Sequence, residues 1–460
     1  MERKGLLSER KRSHKELTKD IRSFLDGFVD EKSFVENDAF YFSDGDNAGK
    51  SVICGRASIG GVFVYVIAQN AKVLNGGVGK SHIEKFSKAM DTALKAGLPV
   101  IYVLDSKGAF VAEGMNLLNG FATLIAKAEL VSKIVPTVCV IKGEAVGNLS
   151  VFASVCDFVY MTENGISSLN SPSVVKAKEQ AADDKNLFGG KFHCETTGFC
   201  DFAVTKKELA AHIRNLISYL PYTKSSAKEP LDEKELNKTV LRLEKADGSE
   251  FLNKICDKEF LEVGCGFAPE CVTGFGKLGG ISVGFVSQNG AISCKGLDKA
   301  TRFVELCEKL EIPLISVIDS DGAEISLRTE TSPVLTRISK LIKALSDTCL
   351  PKISLIKGKA SGIAYTVFAS KQLGFENVIA WDSAEISAVP AVTGGVAIYA
   401  DDIANAADPV KAREDAIEKF RFSDADPYNS AVLGLVDNVI EPKYTRVYLI
   451  AALQTFADIG

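Results

Sequence analysis

The chain has no Cys-x-x-Cys pair, no His-Glu-x-x-His segment and no apolar run near the roughly 18 to 20 residues that a membrane span needs. The missing pair excludes a zinc ribbon and a thioredoxin-like motif, and the missing histidine segment argues against a zinc hydrolase. Histidine itself is scarce: His14, His82, His193 and His212 lie far apart in the chain. The eleven cysteines are scattered and read as small buried hydrophobes, so disulfides are not expected. Basic charge is not in excess either: the net charge is -5, which provides no field for nucleic acid, and none is expected as a partner. The opening Met1 to Asp20 is polar and of mixed charge, without the apolar centre of a secretory signal. The expected location is the cytoplasm.

What is present is a soluble, packable composition, with 46% hydrophobic and 25% charged residues. At 460 residues the chain is too long for one ordinary core. It also repeats itself. Leu98 to Ala109, containing Asp105-Ser106-Lys107-Gly108-Ala109, aligns with Ile312 to Ala323, containing Asp319-Ser320-Asp321-Gly322-Ala323. Val135 to Gly147 aligns with Leu350 to Gly362 in the same order. Gly60-Gly61 and Gln69-Asn70 answer Gly279-Gly280 and Gln288-Asn289 upstream, and Phe152-Ala153-Ser154 answers Phe368-Ala369-Ser370 downstream. Kept order over so many matches indicates an internal duplication.

Each half alternates short apolar runs with longer amphipathic ones. Val100 to Leu104, Thr137 to Ile141, Leu314 to Ile318 and Ile353 to Ile356 read as strands buried on both faces. Ser81 to Lys95 and Asp298 to Lys309 are long enough to be the helices that parallel strands require as crossovers. The fold class is therefore α/β, with two tandem domains, 1–225 and 226–460. Tyr222 to Gly248, rich in Lys and Glu, reads as the connection between them, with Glu233 to Lys245 equally open to being a solvated helix of one domain.

In both halves an apolar strand ends in Asp-Ser-x-Gly-Ala, and some forty residues later another runs into Gly-x-Ala-x-Gly before a helix. Glycine after a strand lets a ligand approach the chain, and the first turn of a helix carries N–H groups without intrahelical acceptors. Two such donors converging would form an oxyanion hole suited to a thioester carbonyl that becomes an enolate, with no catalytic side chain needed. A tight strand-to-helix turn explains one such glycine, but less readily the same pair twice. Glu113 and Glu144 are the nearest carboxylates in the first half and read as solvated or capping groups.

These residues resemble the β-type carboxyltransferases of propionyl-CoA and acetyl-CoA carboxylases and of sodium-pumping acyl-CoA decarboxylases, which belong to the crotonase superfamily. The similarity spans most of the chain, from Phe34-Val35-Glu36 through Asp105-Ser106, Gly189-Gly190-Lys191 and Val272-Thr273-Gly274. It is most specific at Asp426-Pro427-Tyr428 and Gly434 to Pro442, followed by Thr445-Arg446.

The resemblance implies two tandem crotonase-like domains of the ββα superhelix type, the first binding acyl-CoA and the second carboxybiotin, with a site at a face between halves of two subunits. By position, Gly108, Ala109, Gly147 and Asn148 match the family's first oxyanion hole, and Gly322, Ala323, Gly362 and Ile363 the second, on the biotin side. Biotin would accept or return the substrate's α-proton, which accounts for the missing protein base. The chain has no biotin-attachment Met-Lys-Met and no recognisable ATP-grasp segment, so a biotin carboxyl carrier, and any biotin carboxylase or membrane decarboxylase subunit, would be separate chains. A homo-oligomer, a hexamer by resemblance, is implied as well.

The chain departs from the family at Asn148 and Ile363, where a second glycine is usual, at Phe110, where an arginine is usual, and at Asp321 to Thr331, which replaces a loop rich in glycine and proline. Two other readings remain open at this point. One is a catalytically weakened homologue serving as a binding or assembly subunit. The other is a hydratase or isomerase without biotin, which needs a paired glutamate near Gly147 where only Glu144 stands.

Overall fold

The computed structural model describes residues 3–41, 50–179, 185–220 and 233–456. The chain divides into two compact units, Met1–Thr223 and Lys224–Gly460. The boundary expected at 225/226 lies outside the described residues. Among those residues no helix is long and apolar enough to cross a membrane.

The first unit holds strands β1 (Val35–Asn37), β2 (Val52–Ile59), β3 (Val62–Gln69), β4 (Gly77–Val78), β5 (Val100–Ser106), β6 (Gly108–Ala109), β7 (Thr137–Val146), β8 (Phe158–Met161), β9 (Ile166–Ser168) and β10 (Phe202–Ala203). Its main sheet runs β1-β2-β3-β5-β7-β8-β10, with β9 paired to the far end of β7, while β4 and β6 form a separate ribbon. From β3 onward the neighbours are parallel. The crossovers between them include helices α1 (Lys80–Ala96), α2 (Leu118–Ile134) and α3 (Asn148–Ser154). The first five residues of β5 and of β7 are buried, as their unbroken apolar runs require. α1 packs Phe86 against Tyr102 of β5 and Phe152 of α3, with ring centroids 5.8 Å and 5.4 Å apart.

The second unit repeats the plan. Its strands are β11 (Leu261–Val263), β12 (Cys271–Leu278), β13 (Ile281–Asn289), β14 (Leu314–Ser320), β15 (Lys352–Ser361), β16 (Phe375–Trp381), β17 (Glu385–Ser387) and β18 (Asn438–Ile440). The order is β11-β12-β13-β14-β15-β16-β18, with β17 on the end of β15. Helix α4 (Cys294–Lys309) begins four residues before the expected Asp298, because the Ser293 side chain accepts from the Gly296 N–H at 3.0 Å and caps it. Helices α5 (Val334–Asp347) and α6 (Ile363–Phe368) follow β14 and β15.

The glycine pairs noticed in the sequence are the turns of the β2-β3 and β12-β13 hairpins, and each is held by a carboxylate. Asp30 accepts from the Gly60 and Gly61 amides at 2.9 Å each, and Asp257 accepts from Gly279 and Gly280 at 3.3 and 2.8 Å. Both glycines of each pair have positive φ, a conformation in which a side chain is strained. An arginine backs each carboxylate: Arg214 stands 3.4 Å from Asp30, and Arg446 lies 2.5 Å from Asp257. Burial alone would raise the Asp30 pKa, but hydrogen bonds from Gly61, Gly60, Ser58 and Arg214 pull it below its ordinary value.

One expectation is corrected. Tyr222 to Gly248 is not a free connection over its whole length. Residues 222–232 lie outside the described part; Glu233–Leu236 is one short turn of helix, and Leu243 and Ala246 are fully buried in the second core beside Phe251. The reason is local. A few apolar residues in a charged stretch anchor it, Leu236 and Val240 packing against the same core, and the buried Lys357 ammonium fixes the backbone by donating to Ala246 O at 2.8 Å.

Candidate active site

The Asp-Ser-x-Gly-Ala turn and the Gly-x-Ala-x-Gly turn meet at the same end of two paired strands in each unit. Ser106 pairs with Ala145, and Ser320 with Ala360, after a register shift that lets β7 and β15 run past their neighbours. The approach is close. A Cβ on Gly108 would stand 3.5 Å from Val146 O, and one on Gly322 would stand 3.6 Å from Ser361 O and 3.3 Å from Ile363 Cγ2. Gly108 with Ala109 is thus brought to Gly147 with Asn148, and Gly322 with Ala323 to Gly362 with Ile363. Each set lies wholly within one unit.

The eight amides do not share one role, and here the sequence reading is corrected. The glycine N–H groups are engaged inside the chain. Gly108 donates to Ser106 Oγ at 3.2 Å and Gly322 to Ser320 Oγ at 3.1 Å. Gly147 donates to Ser168 O, and Gly362 to Ser387 O, both at 2.9 Å, because β9 and β17 extend the sheet to those residues. Four of the amides expected to hold oxyanions are therefore spoken for.

The amides of the following residues are the ones left over. Phe110 N donates to Val78 O at 3.0 Å, and a parallel ladder with Ala109 opposite Val78 uses the N–H and C=O of Val78, so Ala109's own N–H faces away. Ile292, opposite Ala323, likewise donates to Gly322 O at 3.0 Å and leaves the Ala323 N–H outward. Asn148 and Ile363 are the first residues of α3 and α6, so their N–H groups have no acceptor one turn back. Ala109 and Asn148 are exposed, and Ala323 and Ile363 partly so.

The glycines aim these amides rather than supply them. Gly147 has φ 67 and ψ -128, and Gly362 has φ 51 and ψ -114, a region that only glycine enters freely. Gly362 is further constrained, since a Cβ there would stand 2.9 Å from Ala388 O. The departure at Ile363 has a physical account. Its side chain lies against the α-carbon of Gly322, where no Cβ competes, and so is accommodated within the turn.

The acidic candidates take ordinary roles. Glu113 accepts from the Lys80 N–H at 2.6 Å and so caps the start of α1. Glu144 sits half-buried on β7, and among the described residues it has no hydrogen-bond partner or ion pair and no second carboxylate paired with it. Sequence reasoning missed the acceptors that consume the glycine amides. Ser106 and Ser320 were visible in the repeat as the serine of Asp-Ser-x-Gly-Ala; Ser168 and Ser387 carried no signal, because they arrive by pairing of β9 and β17.

A family model described as the carboxyl transferase domain matches residues 12–458. The chain belongs to the carboxyl transferase domain family. It is 34% identical, over 94% of its length and 89% of the relative's, to the propionyl-CoA carboxylase, carboxyltransferase subunit of Haloferax mediterranei. It is 30% identical, over 94% of its length and 86% of the relative's, to the biotin-dependent acetyl-/propionyl-coenzyme A carboxylase beta5 subunit of Mycobacterium tuberculosis. Among solved structures it superposes on transcarboxylase 12S, crystallised as a hexamer with hydrolysed methylmalonyl-coenzyme A bound, with a TM-score of 0.88 at 28% identity, covering 99% of this chain and 95% of that one. The family's duplicated, crotonase-like α/β architecture is the one present here.

Proposed function

We propose that this carboxyl transferase moves a carboxyl group between biotin and a short-chain acyl-CoA, with the developing negative oxygens held by the amides of Ala109 and Asn148 in the first unit and of Ala323 and Ile363 in the second. The observation that carries this reading is that, among the described residues, the same two amides are left without an acceptor at equivalent places in both units. An amide pair is complementary to an oxygen that gains charge, so it holds an enolate more strongly than the thioester it came from. Losing or adding carbon dioxide at the carbon next to the thioester passes through such an enolate.

Biotin, when bound, supplies the carboxyl group and a urea oxygen. Ala323 and Ile363 are the residues that would hold that oxygen, and their outward, unshared N–H groups suit it. A weakened assembly subunit is not favoured, because Asn148 and Ile363 keep their donors despite carrying side chains.

The carrier of biotin is proposed to be a separate chain, together with a biotin carboxylase or a membrane decarboxylase subunit. Self-association is proposed as well. Val111 and Met115, just past the first amide pair, and Ile325 and Leu327, just past the second, are each more than four-fifths exposed, at 83%, 85%, 82% and 85%. The test is to incubate the full chain with free biotin and malonyl-CoA or methylmalonyl-CoA and follow decarboxylation. Biotin-dependent turnover is expected; absence of both turnover and CoA binding would overturn the proposal.

A further inference from the structure

The second amide pair has a feature that the first lacks. Asp321, two residues before Ala323, accepts from Lys359 Nζ at 2.7 Å and from Ser361 Oγ at 3.2 Å. Its carboxylate therefore ties the strand-end turn of β14 to the last residue of β15, just before Gly362. Lys359 is held by more than Asp321: Glu385, which pairs with it across β15 and β17, also favours its charge, and Arg421, 3.5 Å from Glu385, opposes it. In the first unit the corresponding residues are Lys107, Glu144 and Val146, by alignment of the two repeats. Among the described residues neither Lys107 nor Glu144 makes an ion pair, and valine offers no hydroxyl.

A carboxylate beside an anion-holding amide pair is unfavourable unless its charge is cancelled, because like charges at this range repel and the site is only partly screened. The ion pair supplies that cancellation, and the serine bond fixes where the carboxylate sits.

We infer that Asp321 and Lys359 are positioning residues of the second amide pair: Asp321 ties the two amide-bearing turns together, and Lys359 neutralises the carboxylate so that a negative oxygen can approach Ala323 and Ile363. This rests on the oxyanion reading above. It assigns the pair a role in the biotin half of the reaction and none in the acyl-CoA half.

The test uses the full chain with free biotin and malonyl-CoA, and the variants Lys359→Met, Asp321→Asn, the double variant and Lys359→Arg. Lys359→Met, which leaves the carboxylate uncompensated, is expected to lower kcat/KM for biotin about tenfold, with KM for malonyl-CoA unchanged. Asp321→Asn is expected to lower it only about threefold. The double variant should recover most of the Lys359→Met loss, and Lys359→Arg should stay near wild type. Equal losses in both substrates' KM, or a double variant no better than Lys359→Met, would overturn the inference.

Amide hydrogen exchange on the same proteins separates this inference from the function it rests on. Asp321→Asn should speed exchange across 320–326 and leave 106–112 unchanged, whether or not the protein turns over malonyl-CoA. A wild type without turnover would count against the proposed function alone, and unchanged exchange across 320–326 would overturn the tie between the turns.

Discussion

The two amide pairs are built on one plan and finished differently. At the first, the strand-end residue is Lys107, exposed and without an ion pair among the described residues, and Gly108 comes close to Val146 O. At the second, Asp321, Lys359 and Ser361 join the turns, and Ile363 fills the space beside Gly322. Duplication fixed the amides, and divergence acted on what surrounds them. A scaffold that works through backbone donors can tolerate this, because the donors depend on φ, ψ and strand register rather than on residue identity, provided that the glycines remain.

The largest effect should come from testing that proviso. Gly362→Ala and Gly147→Ala both place a side chain in a backbone region that costs about 1 to 3 kcal/mol, and both should cut turnover by about a hundredfold or more by re-aiming the next amide. The comparison sharpens on stability. Gly362→Ala adds a contact 2.9 Å from Ala388 O, whereas the nearest atom to a Cβ on Gly147 is 3.8 Å away, so urea denaturation should find the Gly362 variant the weaker of the two.

Next come the hairpin carboxylates. Asp257 and Arg446 are nearly buried, at 11% and 3% side-chain exposure, so Asp257→Ala should cost about 3 kcal/mol by leaving a buried guanidinium uncompensated. Asp30 and Arg214 are more exposed, at 28% and 44%, and Asp30→Ala should cost nearer 1 kcal/mol. Denaturant unfolding of the two variants measures the difference, and equal losses would show that the clamps do not differ in burial as described.

The serines give a smaller, more even effect. Ser106→Ala and Ser320→Ala each remove the acceptor for a buried glycine N–H, which should cost about 1 kcal/mol and lower turnover severalfold. Ser106 also donates to Gly76 O, so its variant should be the less stable, and thermal melts of the pair read that out.

The smallest effect is in pH, and it belongs to the first unit, which holds all four histidines. Burial first and the charge of Lys85 second hold the His82 pKa down from 6.5 to about 3. The unfolded chain takes up a proton that folded His82 refuses, so this contribution to stability is complete above about pH 6.5 and falls away as the pH drops toward 3. Protection factors across 80–96, corrected for the intrinsic exchange rate at each pH, should fall over that window, and His82→Gln should flatten the response.

Much of the fold was legible because the duplication set apolar runs, glycine turns and Asp-Ser-x-Gly-Ala in the same order twice. That the two glycine turns of each half carry the candidate site was suggested by the same repeat, and the structure brings those turns together in each unit. Which amide of each pair is available was not, since Gly147 and Gly362 are consumed by carbonyls 21 and 25 residues further on, and only the pairing of β9 and β17 brings those there. The tie from Asp321 to Lys359 is equally non-local, joining two strand ends 38 residues apart. The stretch from Glu233 to Gly248 misled through composition, because its charged residues outnumber Leu236, Val240, Leu243 and Ala246, which pack in the second core.

The central claim is that Ala109 and Asn148, and not their glycine neighbours, hold the thioester oxygen. A crystal structure with a bound non-hydrolysable acyl-CoA tests it most directly. The oxygen should lie about 3 Å from both of those nitrogens, with Gly108 and Gly147 still bonded to Ser106 Oγ and Ser168 O. An oxygen bound elsewhere, or held by the glycine amides after those internal bonds had broken, would contradict the account.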